Sequence, residues 1–117
     1  MSRFADEPII LARKGDPGLS PEEQEALLPK IPAWKVVDEN GVQKLVREYR
    51  SSEYDYLMTL TQKLCRMAEQ VNHHPSMLLE WGKLTVSWWT HTSDGLHRND
   101  FIMAARCDRA AMLVHAL

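Results

Sequence analysis

Trp34-Lys35-Val36-Val37-Asp38-Glu39-Asn40-Gly41-Val42-Gln43-Lys44-Leu45-Val46-Arg47-Glu48-Tyr49-Arg50 is the stretch that decides the fold. Asn40-Gly41 between two strand-like runs is a strong hairpin signal, because both residues tolerate the positive φ of a tight turn. Residues 42–50 alternate: Val42, Lys44, Val46 and Glu48 stand against Gln43, Leu45, Arg47 and Tyr49, the two-residue period of a strand with unlike faces. Residues 34–38 supply its antiparallel partner.

Downstream, Ser51 or Ser52 caps a helix and Glu53 suits its first turn. Tyr54, Leu57, Leu60, Leu64, Met67, Ala68 and Val71 recur at helical spacing, which predicts a helix over 53–71. Residues 77–81, a turn at Gly82-Lys83 and the β-branched and aromatic run 84–90 predict a second hairpin. Trp88 and Trp89 are adjacent and must point to opposite faces, one to the core. Asp94-Gly95 marks a loop. Phe101, Ile102, Ala105, Met112 and Leu113 predict a last helix from His97 to about His115. Upstream, Leu19-Ser20-Pro21-Glu22-Glu23 starts a short helix with a serine cap, a first-turn proline and two early carboxylates; Pro29 and Pro32 stop it. The order α-β-β-α-β-β-α implies an α+β fold, a four-stranded antiparallel sheet with three helices on one face. Residues 1–18 read as an N-terminal extension, a flexible tail with at most an edge strand or a partner contact, and residues 19–117 as the domain.

The chain has 117 residues, 44% of them hydrophobic, enough for one core without disulfides. A net charge of -2 gives no basic footprint for nucleic acid. No apolar run is long enough to span a membrane and no signal-peptide core opens the chain, so a cytoplasmic protein is expected. Cys65 and Cys107 fit no zinc or redox spacing and read as small buried residues. The methionines read as gap-filling core or rim residues. Arg98, Arg106 and Arg109 read as a solvated helix face.

The chemistry concentrates in Glu69-Gln70-Val71-Asn72-His73-His74-Pro75. Glu69 and His73 share a face if the helix persists that far. Pro75 disfavours helical geometry at His74, so the chain turns there. His91 ends the Trp88-Trp89-Thr90 strand, and Asp100 opens the last helix. Imidazoles round a cleft suit proton transfer near neutral pH, with Glu69 or Asp100 fixing a tautomer. Histidines at a helix end also interact favourably with its carbonyls without forming a site. A metal site is the third reading, though there is no HExxH pattern and no cysteine pair.

These residues resemble the pterin-4a-carbinolamine dehydratases. Their pattern stands here as Glu69, His73-His74-Pro75, Trp81, His91 and Asp100, with Leu19-Ser20, Ile31-Pro32-Ala33-Trp34, Arg47-Glu48-Tyr49, Gly95-Leu96 and Asn99-Asp100-Phe101 around it. The resemblance implies dehydration of 4a-hydroxytetrahydrobiopterin to quinonoid dihydrobiopterin, with no metal and no cofactor. It implies His73, His91 and Glu69 in catalysis, with His73 and His91 as the acid/base pair. It implies His74, Pro75, Trp34 and Asp100 at the pterin, Trp34 as a shield and Asp100 as a supporting carboxylate. A homodimer or homotetramer is implied as well. Other branches serve as a dimerisation cofactor for a transcription factor or as a Rubisco assembly factor, so a non-catalytic role with the Rubisco large subunit as partner is the alternative. Met77, Ser51, Thr92 and His97 depart from the family pattern, and these changes bear on the pocket edge and on pterin affinity.

Overall fold

The computed structural model describes residues 4–115; residues 1–3 of the expected extension and 116–117 of the domain lie outside the described residues. Six strands and three α-helices run in the order β1 (Asp16–Pro17), α1 (Pro21–Leu27), β2 (Lys35–Glu39), β3 (Val42–Arg50), α2 (Tyr54–Val71), β4 (Ser76–Glu80), β5 (Lys83–Trp88), β6 (Ser93–Asp94) and α3 (Arg98–His115). Four of these strands form the antiparallel sheet β2-β3-β5-β4, two hairpins joined through their second strands. The two-residue β1 and β6 pair separately, in parallel.

Asn40 and Gly41 take φ of 54° and 83°, the two positive values that fit a tight hairpin turn. That turn sets the register Glu39↔Val42 and Val36↔Leu45, and the alternation then decides the faces. Leu45 and Tyr49 are buried beside Leu84, Val86 and Trp88 of β5, their cross-strand neighbours. This face meets Leu57, Leu60, Leu64 and Ala68 of α2 and Phe101, Ile102 and Met103 of α3, all buried. α1 reaches the same face, where Gln24 donates to Gln43 at 3.0 Å. Its start carries a full capping box, Ser20 and Glu23 bonding each other's backbone N–H. The α+β architecture and the element order are therefore those expected from the sequence.

Three apolar positions differ from expectation. Tyr54 is 41% exposed, and Met112 and Leu113 are 75% and 59% exposed. Each lies in a terminal turn of its helix; Leu57 is the first buried residue of α2, and Ala111 the last of α3. Cys65 is exposed, while Cys107 is buried. Burial pushes the Cys107 thiol up to about 12, and the Trp88 indole N–H donates to its sulfur at 3.3 Å.

The N-terminal segment is tied down. Phe4 and Ala5 are buried in the core. The three arginines expected on a solvated face hold this segment: Arg98 grips Glu7 bidentately at 3.0 Å, Arg106 donates to the carbonyls of Ala5 and Glu7 at 2.8 and 2.7 Å, and Arg109 bonds Asp6. The Arg98 hydrogen bond holds the Glu7 carboxyl below its ordinary range.

On α3, Asp108 gathers a second polar knot. Its carboxylate accepts from the Trp34 indole at 3.0 Å, from Arg47 at 2.6 Å and from the Tyr49 hydroxyl at 2.6 Å. Arg47 also lies over the Tyr49 ring at 4.1 Å. Burial, then the Cys107 and Asp108 charges, pushes the Tyr49 phenol far above its ordinary value. Asp108→Ala strands two buried donors, so urea denaturation is expected to show a loss of about 2–4 kcal/mol. A thiol reagent is expected to label one cysteine, Cys65, in the native chain and both on unfolding.

Candidate active site

The site starts at the end of α2. Asn72 takes the left-handed conformation, φ 52° and ψ 42°. Its N–H reaches the Glu69 carbonyl, and the His73 N–H reaches back to the Ala68 carbonyl at 3.2 Å. This reciprocal pair closes the helix in a Schellman turn, which satisfies orphan carbonyls and throws the chain sharply off the helix axis. His73 and His74 therefore leave α2 in a fixed direction, and Pro75 leads straight into β4.

Asp100 receives His73. This carboxylate is fully buried, and the His73 Nε2–H donates to its Oδ1 at 2.7 Å. Its Oδ2 accepts from the Thr90 hydroxyl and from the His97 backbone N–H, both at 2.9 Å. A buried carboxylate without such donors would be costly; here it accepts from three segments at once. The His73 contact fixes a tautomer: with Nε2–H on Asp100, the neutral ring presents Nδ1 as its acceptor. Trp88 backs the same ring at 5.1 Å between centroids.

Asp100 sits in the first turn of α3, where the helix dipole favours a negative charge. His97 completes the cap in an unexpected way. Its Nδ1 accepts from the Asn99 N–H at 3.0 Å, while Asp100 reaches back to the His97 N–H. A histidine and an aspartate thus form a capping-box arrangement at a position usually filled by serine, threonine, asparagine or aspartate.

His74 is half-exposed and bonds Glu69 at 2.7 Å, so the imidazole that Glu69 serves is His74. His91 is exposed at the end of the β5 segment, edge-on to Trp89 at 5.1 Å. Trp89 lies on the sheet's other face under the Lys44 ammonium, 4.2 Å from the ring centroid. His73, His74 and His91 line one cavity of about 360 Å³, together with Val71, Thr90 and Asn99. That volume lies in the range of roughly 300–1,000 Å³ usual for small-molecule sites. Trp34 does not line it: it is 4% exposed, with its indole held by Asp108. Among the described residues, no group of three or more His, Cys, Asp or Glu side chains is placed to hold a metal ion.

The model of the family "Pterin 4 alpha carbinolamine dehydratase" matches residues 17–110. The chain belongs to this family. It is 43% identical over 91 residues to a Vibrio cholerae protein provisionally named pterin-4-alpha-carbinolamine dehydratase, covering 78% of this chain and 84% of that protein. A Chlorobium luteolum protein of the same provisional name is 45% identical over 99 residues, covering 85% of this chain and 87% of that protein. The fold is also that of a Brucella melitensis crystal structure described as a transcriptional coactivator/pterin dehydratase. That structure matches with a TM-score of 0.74 at 22% identity, over 80% of this chain and 98% of the other.

Within this family frame, some site residues escape sequence reasoning. Thr90 carries no motif. Asn72 carries a faint one, since asparagine closing an amphipathic helix is a known left-handed cap. Substitution there separates backbone from side chain. Asn72→Gly is expected to leave thermal stability within about 0.5 kcal/mol of the parent, whereas Asn72→Val, β-branched at positive φ, is expected to cost about 1–2 kcal/mol by denaturant titration.

Proposed function

We propose that the chain dehydrates 4a-hydroxytetrahydrobiopterin to quinonoid dihydrobiopterin, with His73 and His91 moving the protons. The observation that carries this reading is the His73–Asp100 bond at the wall of a cavity shared with His91 and His74. The reaction breaks the C4a–O bond. The hydroxyl takes a proton and leaves as water, and the N5–H proton goes to a base while its electron pair forms the new C=N bond. Two positioned groups of opposite protonation state serve both transfers.

His73 is assigned the base. Its Nε2–H is committed to Asp100, so Nδ1 is the atom that takes the N5 proton, and the resulting imidazolium stays paired with the buried carboxylate. His91, exposed to solvent, is assigned the acid that gives a proton to the departing hydroxyl. Solvent then resets both rings. His74, oriented by Glu69, is assigned to the pterin ring, with Pro75 fixing its backbone. The expected homodimer or homotetramer belongs to the same proposal; exposed Trp81, Met112 and Leu113 offer apolar surface for it.

Stopped-flow dehydration tests the assignment. The parent chain is expected to accelerate the reaction over its spontaneous rate. His73→Ala and His91→Ala are each expected to lower kcat by about 10²–10⁴-fold. Either single variant at full rate sinks the pairing. Asp100→Asn sets an NH₂ against one of the carboxylate's three donors, so it is expected to lower kcat at least about tenfold and to cost about 1–3 kcal/mol of stability.

A further inference from the structure

The histidine cavity has one wall that the family match leaves out. Ile9, Ile10, Leu11 and Ala12 line it, whereas the family model begins at residue 17. These residues are pinned before, within and after the segment. Before it, Glu7 is held by Arg98 and Arg106. After it, the Gly15 N–H donates to the Thr92 carbonyl at 2.9 Å, and Asp16 pairs with Ser93. In the middle, the side chain of Asn99, itself 5% exposed, closes a two-point amide pair on Ile10. Its Oδ1 accepts from the Ile10 N–H at 3.0 Å, and its Nδ2 donates to the Ile10 carbonyl at 2.5 Å.

Ile9 packs against the core, but the two side chains that follow it gain little burial from so much anchoring. Ile10 is 64% exposed and Leu11 is 83% exposed. One exposed aliphatic residue needs no explanation. Two in succession, on a segment clamped by a buried amide at a cavity rim, leave apolar area that a ligand would cover. Asn99 is also the residue before Asp100, so the turn that holds His73 holds this wall as well.

We propose that residues 9–12, clamped by Asn99, form a substrate-binding wall of the histidine cleft that packs against the bicyclic pterin ring, with Asn99 as a positioning residue. The inference rests on the pterin reading given above. An apolar wall grips the ring alike before and during dehydration, so it lowers KM and leaves kcat unchanged.

The test is Ile10→Ser/Leu11→Ser in the full chain, assayed both for dehydration and for binding of oxidised biopterin by fluorescence quenching. KM and the biopterin Kd are each expected to rise about tenfold, with kcat within about twofold and the melting temperature unchanged. Asn99→Ala is expected to raise KM similarly and to speed hydrogen exchange at the Ile10 amide; should it not fold, the double serine variant decides. Unchanged KM and Kd, or a loss confined to kcat, overturns the wall. A parent chain that binds biopterin without accelerating dehydration removes the proposed activity, and the wall then stands or falls on the Kd of the double variant. A parent chain that does not bind biopterin overturns both.

Discussion

The site depends on a carboxylate with no exposure to water. Asp100 accepts hydrogen bonds from His73 after α2, from Thr90 after β5 and from the His97 backbone ahead of α3. Those segments are far apart in sequence, and each bond fixes one of them relative to the others. The cost of burying the charge makes the arrangement close to all-or-none, because a carboxylate with a missing donor is worse than none. The histidine cleft therefore has a defined shape before any ligand arrives, the condition under which acid and base groups act without reorganisation.

Asp108 repeats the device lower on the same helix. Eight residues separate it from Asp100, a little over two helical turns, so the two carboxylates lie on nearby faces of α3. One gathers the catalytic candidates. The other gathers Trp34, Arg47 and Tyr49, which link the α1–β2 connection and the central strand β3 to α3. Trp34 is thereby committed to structure. Its burial and its indole bond account for the aromatic residue that the resemblance placed over the pterin, without bringing it to the cleft.

The fold was legible in the sequence because its determinants are local. Asn40-Gly41, the alternation in β3 and the apolar stripe of α2 each fix one element without reference to the others, and two hairpins separated by a helix leave little choice of topology. The site was half legible. His73, His74 and His91 stand out by residue type, but which carboxylate serves which imidazole is set by the turn at Asn72. That turn swings His74 toward Glu69 and His73 toward Asp100. Spacing along an ideal helix would instead set Glu69 on the same face as His73. The N-terminal segment, read as a tail with at most an edge strand, supplies the short strand β1, but its further contacts are not legible in its own residues. Its hold on the domain comes from Arg98, Arg106, Arg109 and Asn99, polar side chains nearly ninety or more residues away, and no periodicity in residues 4–18 announces such partners.

That long-range hold changes what α3 is for. A helix whose first turn carries Asn99 and Asp100 in succession places a backbone clamp and an imidazole anchor within one residue of each other. Neither can shift alone, since both ride on a helix with ten buried residues, packed against the sheet, α2 and the N-terminal segment. Functional groups borne on such an element are held more tightly than groups on loops, and a segment bonded to it inherits that rigidity. Residues 9–12 have no secondary structure of their own, and Ile10 and Leu11 bury little, yet they stand at the cleft bonded to the same helix that holds His73. The N-terminal segment and the histidine cleft are thus held by adjacent residues of one helix turn.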